Sequence, residues 1–230
     1  MMSTTPSTPA RRALLAGWAA TAAAGVAATL MIAGPLQAAV PAADCDAAFQ
    51  QFQQAAAGGN GKTIESAAEQ FGRLAASEPG DPVLLAYSGA AIVMRATTTM
   101  LPWRKLGFAD DGLAQIDKAL SMLQPQHDTL LHRQVPASLE TRFVAASTFL
   151  RMPAMFNRHP RGVRLLDEVL QHPQFGAAPL PFRATVWMFA AEQAAKDRRP
   201  EHARQWLQRV VASGAPQAAH AQSRLQGLNP

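Results

Sequence analysis

One spacing constrains this chain more than its composition does. Ala67 is followed after three residues by Phe71, after two more by Leu74-Ala75, and after three more by Pro79. Such offsets put a small residue, a large apolar residue and an apolar pair on one helix face, a turn apart. The small side chain admits a neighbouring helix at close range and the large one fills the space beside it. The proline then stops the helix, because it lacks an N–H and its ring clashes with the preceding turn. The pattern returns at Gly112, Ile116, Ala119-Leu120 and Pro125, and at Gly162, Leu166, Val169-Leu170 and Pro173. A fourth copy is Ala203, Leu207, Val210-Val211, closed by Ala215-Pro216. The segments before three of these copies carry a matching face: Leu85, Ser88-Gly89 and Ile92; Phe143, Ala146-Ser147 and Leu150; Trp187, Ala190-Ala191 and Ala194.

Beyond residue 44 no segment alternates with period two, and apolar residues recur at three- and four-residue spacing. Breakers such as "GGNG" 58–61, "EPGDP" 78–82, "NRHP" 157–160 and "DRRP" 197–200 divide the chain into segments of helical length. The hydrophobic fraction, 48%, is dominated by alanine, the residue that gives up least on entering a helix. These observations predict an all-α fold, an antiparallel array of about nine helices in pairs.

The four copies in phase resemble the tetratricopeptide repeat (TPR), whose second helix has these offsets. The resemblance spans about residues 63–216. It departs from the family in period: the second-helix starts at 67, 112, 162 and 203 are 45, 50 and 41 residues apart, where TPRs repeat about every 34. Longer connections are therefore expected, most clearly at 95–108. Residues 44–57 are expected to pair as the first helix of the first repeat, and 217–227 to form a terminal helix, since stacked repeats need capping. Residues 39–230 then make one TPR-like domain.

Residues 1–38 read differently. Their only charges are Arg11 and Arg12, followed by an apolar run from Ala13 to Gly34 and the small-residue stretch "LQAAVPAA". This is the layout of a secretory signal, with cleavage expected after Ala38 or Ala39 and a periplasmic or secreted destination. The alternative is an uncleaved inner-membrane anchor over 13–34. The weak Ala/Gly-rich run also suits twin-arginine export, although the residues after the arginine pair do not match that signal. Without residues 1–38 the chain keeps 19 Lys+Arg (21 less Arg11 and Arg12) against 16 Asp+Glu. That small excess, with no basic run interleaved with aromatics, gives no support to nucleic-acid binding. Membrane contact is expected only if the N-terminal segment is retained. Cys45, the only cysteine, excludes an intramolecular disulfide, and Asp44 before it does not fit a lipidation motif.

No catalytic constellation emerges, and the expectation is a protein that is not an enzyme and uses no cofactor or metal. The six histidines show no zinc spacing. "GGNGK" at 58–62 reads as a turn between the first two helices, "RHPRGVR" at 158–164 as a solvated helix start, and Asp110-Asp111 as a helix cap.

What the TPR resemblance implies is a binder whose first helices line a concave face. The inward residues would be Val83, Ala86, Ala90, Val93 and Met94; then Val144, Thr148, Arg151 and Met152; then Met188, Glu192 and Lys196. This lining is apolar, with methionines and sparse charge. It suits an apolar helix or an extended peptide, or else the same side chains pack on a neighbouring helix. A second candidate surface is Trp103, Leu106 and Phe108, with Met100 and Leu101, in the expected long connection. That connection would either fold back over the groove or present a Trp-centred contact to a partner or a membrane surface. The leading expectation is an exported scaffold or adaptor for a protein or peptide in the bacterial periplasm, accessory to an envelope complex. The rival is a helical protein for a small apolar ligand or lipid, its groove covered by residues 95–108.

Overall fold

The structure, a computed structural model, describes residues 42–228. The signal or anchor expected at 1–38 lies outside the described residues. The fold is all-α: among the described residues nine helices pack against one another, with one two-stranded hairpin. In chain order the helices are α1 (Ala42–Ala56), α2 (Gly61–Ser77), α3 (Pro82–Arg95), α4 (Pro102–Ser121), α5 (Ala137–Phe149), α6 (His159–Gln171), α7 (Leu180–Lys196), α8 (Pro200–Ala212) and α9 (Ala218–Gly227).

The chain announces most helix starts locally. Asn60 caps α2 by accepting from the Thr63 N–H at 3.0 Å, and Asp81 caps α3 by accepting from Val83 and Leu84 at 2.7 and 3.1 Å. Prolines in the first turn open α3, α4, α6, α7 and α8, where no N–H is needed. The "GGNG" segment is the turn between α1 and α2, with Gly58 at φ +103°.

Each helix packs on its successor within the pairs α1–α2, α3–α4, α5–α6 and α7–α8; α2 and α5 also flank α3, and α9 covers α8. The small residues of the repeated pattern lie at the pair seams. A side-chain carbon added at Gly112 would stand 2.4 Å from the Gly89 carbonyl oxygen, and one at Gly89 would stand 2.6 Å from that of Gly112. One at Gly162 would meet Leu150 at 2.7 Å. The large members, Phe71, Ile116, Leu166 and Leu207, are all buried, as are Ala67 and Ala203. Phe71 stacks on Tyr87 at 5.0 Å between ring centres, and Phe49 and Phe52 close edge-on around both. That cluster fastens α1 and α2 onto α3.

Three local expectations are corrected. Helix α4 begins at Pro102, so residues 102–108 are helical and Trp103, Leu106 and Phe108 do not belong to a connection. Asp110 and Asp111 consequently sit inside α4 and cap nothing. The longest connection is instead 122–136, which carries a 3-10 turn (Pro125–Asp128) and the hairpin, β1 (Leu131–His132) against β2 (Val135–Pro136). Its two turn residues, Arg133 and Gln134, hold φ of +50° and +65°, the left-handed pair of a tight hairpin turn. The basic cluster at 158–164 is only partly solvated: Arg158 reaches Asp117 of α4 at 2.9 Å, Arg161 bonds the same carboxylate, and both guanidiniums face the Phe149 ring.

Candidate functional site

The odd-numbered helices share one face, and two adjoining cavities lie on it. The larger, about 520 Å³, is lined by Phe52, Gln53, Ala56 and Ala57 from α1 and its end, Tyr87 from α3, and Phe143, Val144, Ser147 and Arg151 from α5 and its end. Thr185, Met188, Phe189 and Glu192 of α7 and His220 and Arg224 of α9, with Gln217 just before it, complete the wall. The smaller, about 340 Å³, is bounded by Phe52, Ala55, Ala56, Gly58, Gly59 and Ile64 on one side. Ala90, Val93, Met94 and Thr97 from the α3 end, and Ser147, Thr148, Arg151 and Met152 from the α5 end, bound the other. Phe52, Ala56, Ser147 and Arg151 belong to both.

The residues expected on the concave face divide between the two cavities, with Arg151 shared and Lys196 in neither. Val144, Arg151, Met188 and Glu192 line the larger cavity; Val93, Met94, Arg151 and Met152 line the smaller. Ala90 and Thr148 also line the smaller one, whereas Val83 and Ala86 are fully buried core. Trp103, Leu106 and Phe108 line neither. Trp103 and Leu106 face solvent, and Phe108 lies under the Arg95 guanidinium at 4.4 Å. Of residues 95–108 only Thr97 lines one of these cavities, so this stretch does not form the expected cover.

Charge in the groove is uneven. Burial pushes the Glu192 carboxyl up, but the Lys196 ammonium at 2.7 Å outweighs it, together with the Arg151 and Arg224 guanidiniums, and holds it below the ordinary glutamate range. Three cations against one carboxylate leave an excess of two positive charges at that end. Arg151 also lies over the Phe189 ring at 4.8 Å, a cation–π contact, and remains exposed.

A second polar cluster lies behind Tyr87. Its hydroxyl donates to Glu140 Oε1 at 2.9 Å, and Arg133 bonds the same oxygen while stacking over Phe49. His132 stands 3.4 Å from Asp81 and 4.0 Å from Glu140. Glu140 is fully buried, so its charge must be met inside the protein. Burial raises the Tyr87 hydroxyl well above its usual range, and the Glu140 charge adds to that. Asp81 and His132 also border a cavity of about 330 Å³ with Glu78 and His127. Among the described residues no group of three or more His, Cys, Asp or Glu side chains is placed to hold a metal ion.

Neither α9 nor the aromatic wall was foreseen as groove lining. Residues 217–227 were expected only to cap the array, yet His220 and Arg224 reach across it. Phe52 belonged to an expected first helix and could have been included by applying the same offsets to residues 44–57. The Glu140 cluster had no signal, since its members lie as far apart as Asp81 and Glu140 in the chain. No family model, curated protein or solved structure matches the chain.

Proposed function

We propose that the chain is an exported scaffold that binds a protein or peptide segment along the face formed by its odd-numbered helices. The observation that carries this reading is the convergence of the two cavities on Arg151. They share Arg151, with Met94 and Met152 lining the smaller and Met188 and Phe189 the larger. Flexible methionines and aromatic rings suit an apolar segment that adapts on binding. The positive excess around Glu192 favours a segment with at least one acidic side chain. A small apolar ligand is the second reading, favoured by the larger cavity's volume, about 520 Å³, within the range of small-molecule sites. Export to the periplasm rests on residues 1–38 alone, and the helix-pair array with its TPR-like offsets supports a scaffold role.

The test is a peptide selection against the full chain, followed by titration calorimetry of the selected peptides. Arg151→Glu and Met188→Glu are expected to weaken binding at least about tenfold, the loss of roughly 1.4 kcal/mol, while Trp103→Ala leaves it unchanged. Undiminished affinity in both groove variants would sink the proposal. Native mass spectrometry that finds a co-purified small molecule displaced by neither peptide nor variant would favour the second reading.

A further inference from the structure

Helix α4 has 20 residues where its partner α3 has 14, and the excess lies at its start. Arg95, the last residue of α3, stacks on Phe108, and residues 101–107 before that contact are all exposed. The first turns of α4 thus project past the helix they pair with. Four of the seven exposed large apolar side chains among the described residues lie in this short stretch: Met100 and Trp103, at 87% and 67% exposure, with Leu101 and Leu106. Exposed large apolar side chains concentrated in one stretch, with polar neighbours, are what marks a partner or membrane site.

Charge identifies what it fits. Arg104 and Lys105 share these turns and make no ion pair among the described residues. Arg95 is already neutralised by Glu65 at 2.9 Å. The first acidic residue along α4 is Asp110, seven positions beyond Trp103, or about 10 Å down the axis. The tip therefore combines a tryptophan, aliphatic side chains and unpaired cations, the combination that settles at the boundary of an anionic bilayer. Self-association through the tip would bring Arg104 and Lys105 of two copies together. The groove cavities involve none of residues 100–107, and a fluid surface needs no matching pocket.

We propose that the projecting start of α4 with the two residues before it, Met100 to Leu106, docks on an anionic lipid surface. This contact is independent of the groove and of any retention of residues 13–34. Trp103 and Leu106 enter the interfacial region, and Arg104 and Lys105 meet the headgroups.

Hydrogen exchange on the full chain, with and without vesicles of mixed phosphatidylcholine and phosphatidylglycerol, locates the contact. Protection is expected over 100–107 with the mixed vesicles and not with phosphatidylcholine alone. The paired change Trp103→Ser and Leu106→Ser removes that protection. Arg104→Gln with Lys105→Gln lowers vesicle affinity about 25-fold, taking roughly fivefold per cation, and high salt weakens wild-type binding in the same direction. All four positions are exposed, so unchanged circular dichroism is expected and keeps the comparison clean. Equal exchange at 100–107 with and without vesicles overturns the proposal. So does variant binding equal to wild type with protection confined to other residues, the N-terminal segment included. Protection that grows with protein concentration in the absence of lipid would assign the tip to a second copy instead. The vesicle assay and the peptide titration read different residues, so either proposal can fail alone.

Discussion

At Asp81 a single carboxylate caps α3 through the Val83 and Leu84 N–H groups and holds His132 at 3.4 Å. Burial pushes this carboxyl up, but His132 and the two N–H groups outweigh it, and the net effect is a pKa below the ordinary aspartate value. A folded-state pKa below the unfolded one stabilises the fold above the unfolded pKa and loses that contribution as pH falls through the folded value. The window is therefore acidic, beginning near pH 4 and extending below it. Asn at this position keeps the cap but not the charge. Asp81→Asn is expected to cost about 0.5–1 kcal/mol at neutral pH, because the hydrogen bonds to the Val83 and Leu84 N–H groups lose their charge assistance. The difference from wild type should shrink as pH drops below about 4. Urea midpoints for both chains between pH 7 and 3 check this, and a gap that stays constant or widens on acidification would refute the assignment.

Helix α4 meets α3 at two glycines whose backbones nearly touch, and this seam is legible in the sequence. The small members of the repeated offsets, Gly112 and Gly89, had no other evident reason to occur inside helices, where glycine is unfavourable. Gly112→Ala forces a methyl to within 2.4 Å of a carbonyl oxygen that belongs to the opposite backbone, so the two helices must separate. A loss of about 1–3 kcal/mol is expected, the usual cost of overpacking. Gly72 in α2 is the control: a side-chain carbon there meets nothing within 4 Å, and Gly72→Ala should gain about 0.5–1 kcal/mol. Thermal or urea unfolding of the two variants decides it, and equal effects of either sign would refute the seam argument. What could not be read from the sequence was the 122–136 connection. Its turn residues, Arg133 and Gln134, are not the Asn-Gly or Asp-Gly pair that announces a tight hairpin, and contacts distant in sequence, to Glu140 and Phe49, accompany that geometry. The connection expected at 95–108 runs too far because a proline suggests a break, whereas Pro102 in the first turn begins α4.

At the scale of the whole array, α9 is both cap and wall. On one side it packs on α8, burying Ala221 with Leu225 and Leu228 partly covered. On the other, His220 and Arg224 close the groove, and Gln217 donates to the Pro181 carbonyl and the Thr185 hydroxyl at 3.1 Å each. In a stacked array each unit is stabilised by its neighbours, so removing the end unit weakens the next one most and distant units least. A chain ending at Pro216 should lose roughly 2–4 kcal/mol from the uncovered apolar surface. Hydrogen exchange should quicken chiefly in α7 and α8, while α2 and α3, held by the Phe71–Tyr87 cluster, stay close to the full-length rates. Peptides that bind the groove should lose affinity and show a weaker preference for acidic residues, because Arg224 supplies part of the positive excess around Glu192. Uniform acceleration across the chain would mean one cooperative core rather than a coupled series. Full retention of acidic preference would place the groove's selectivity on Arg151 and Lys196 alone.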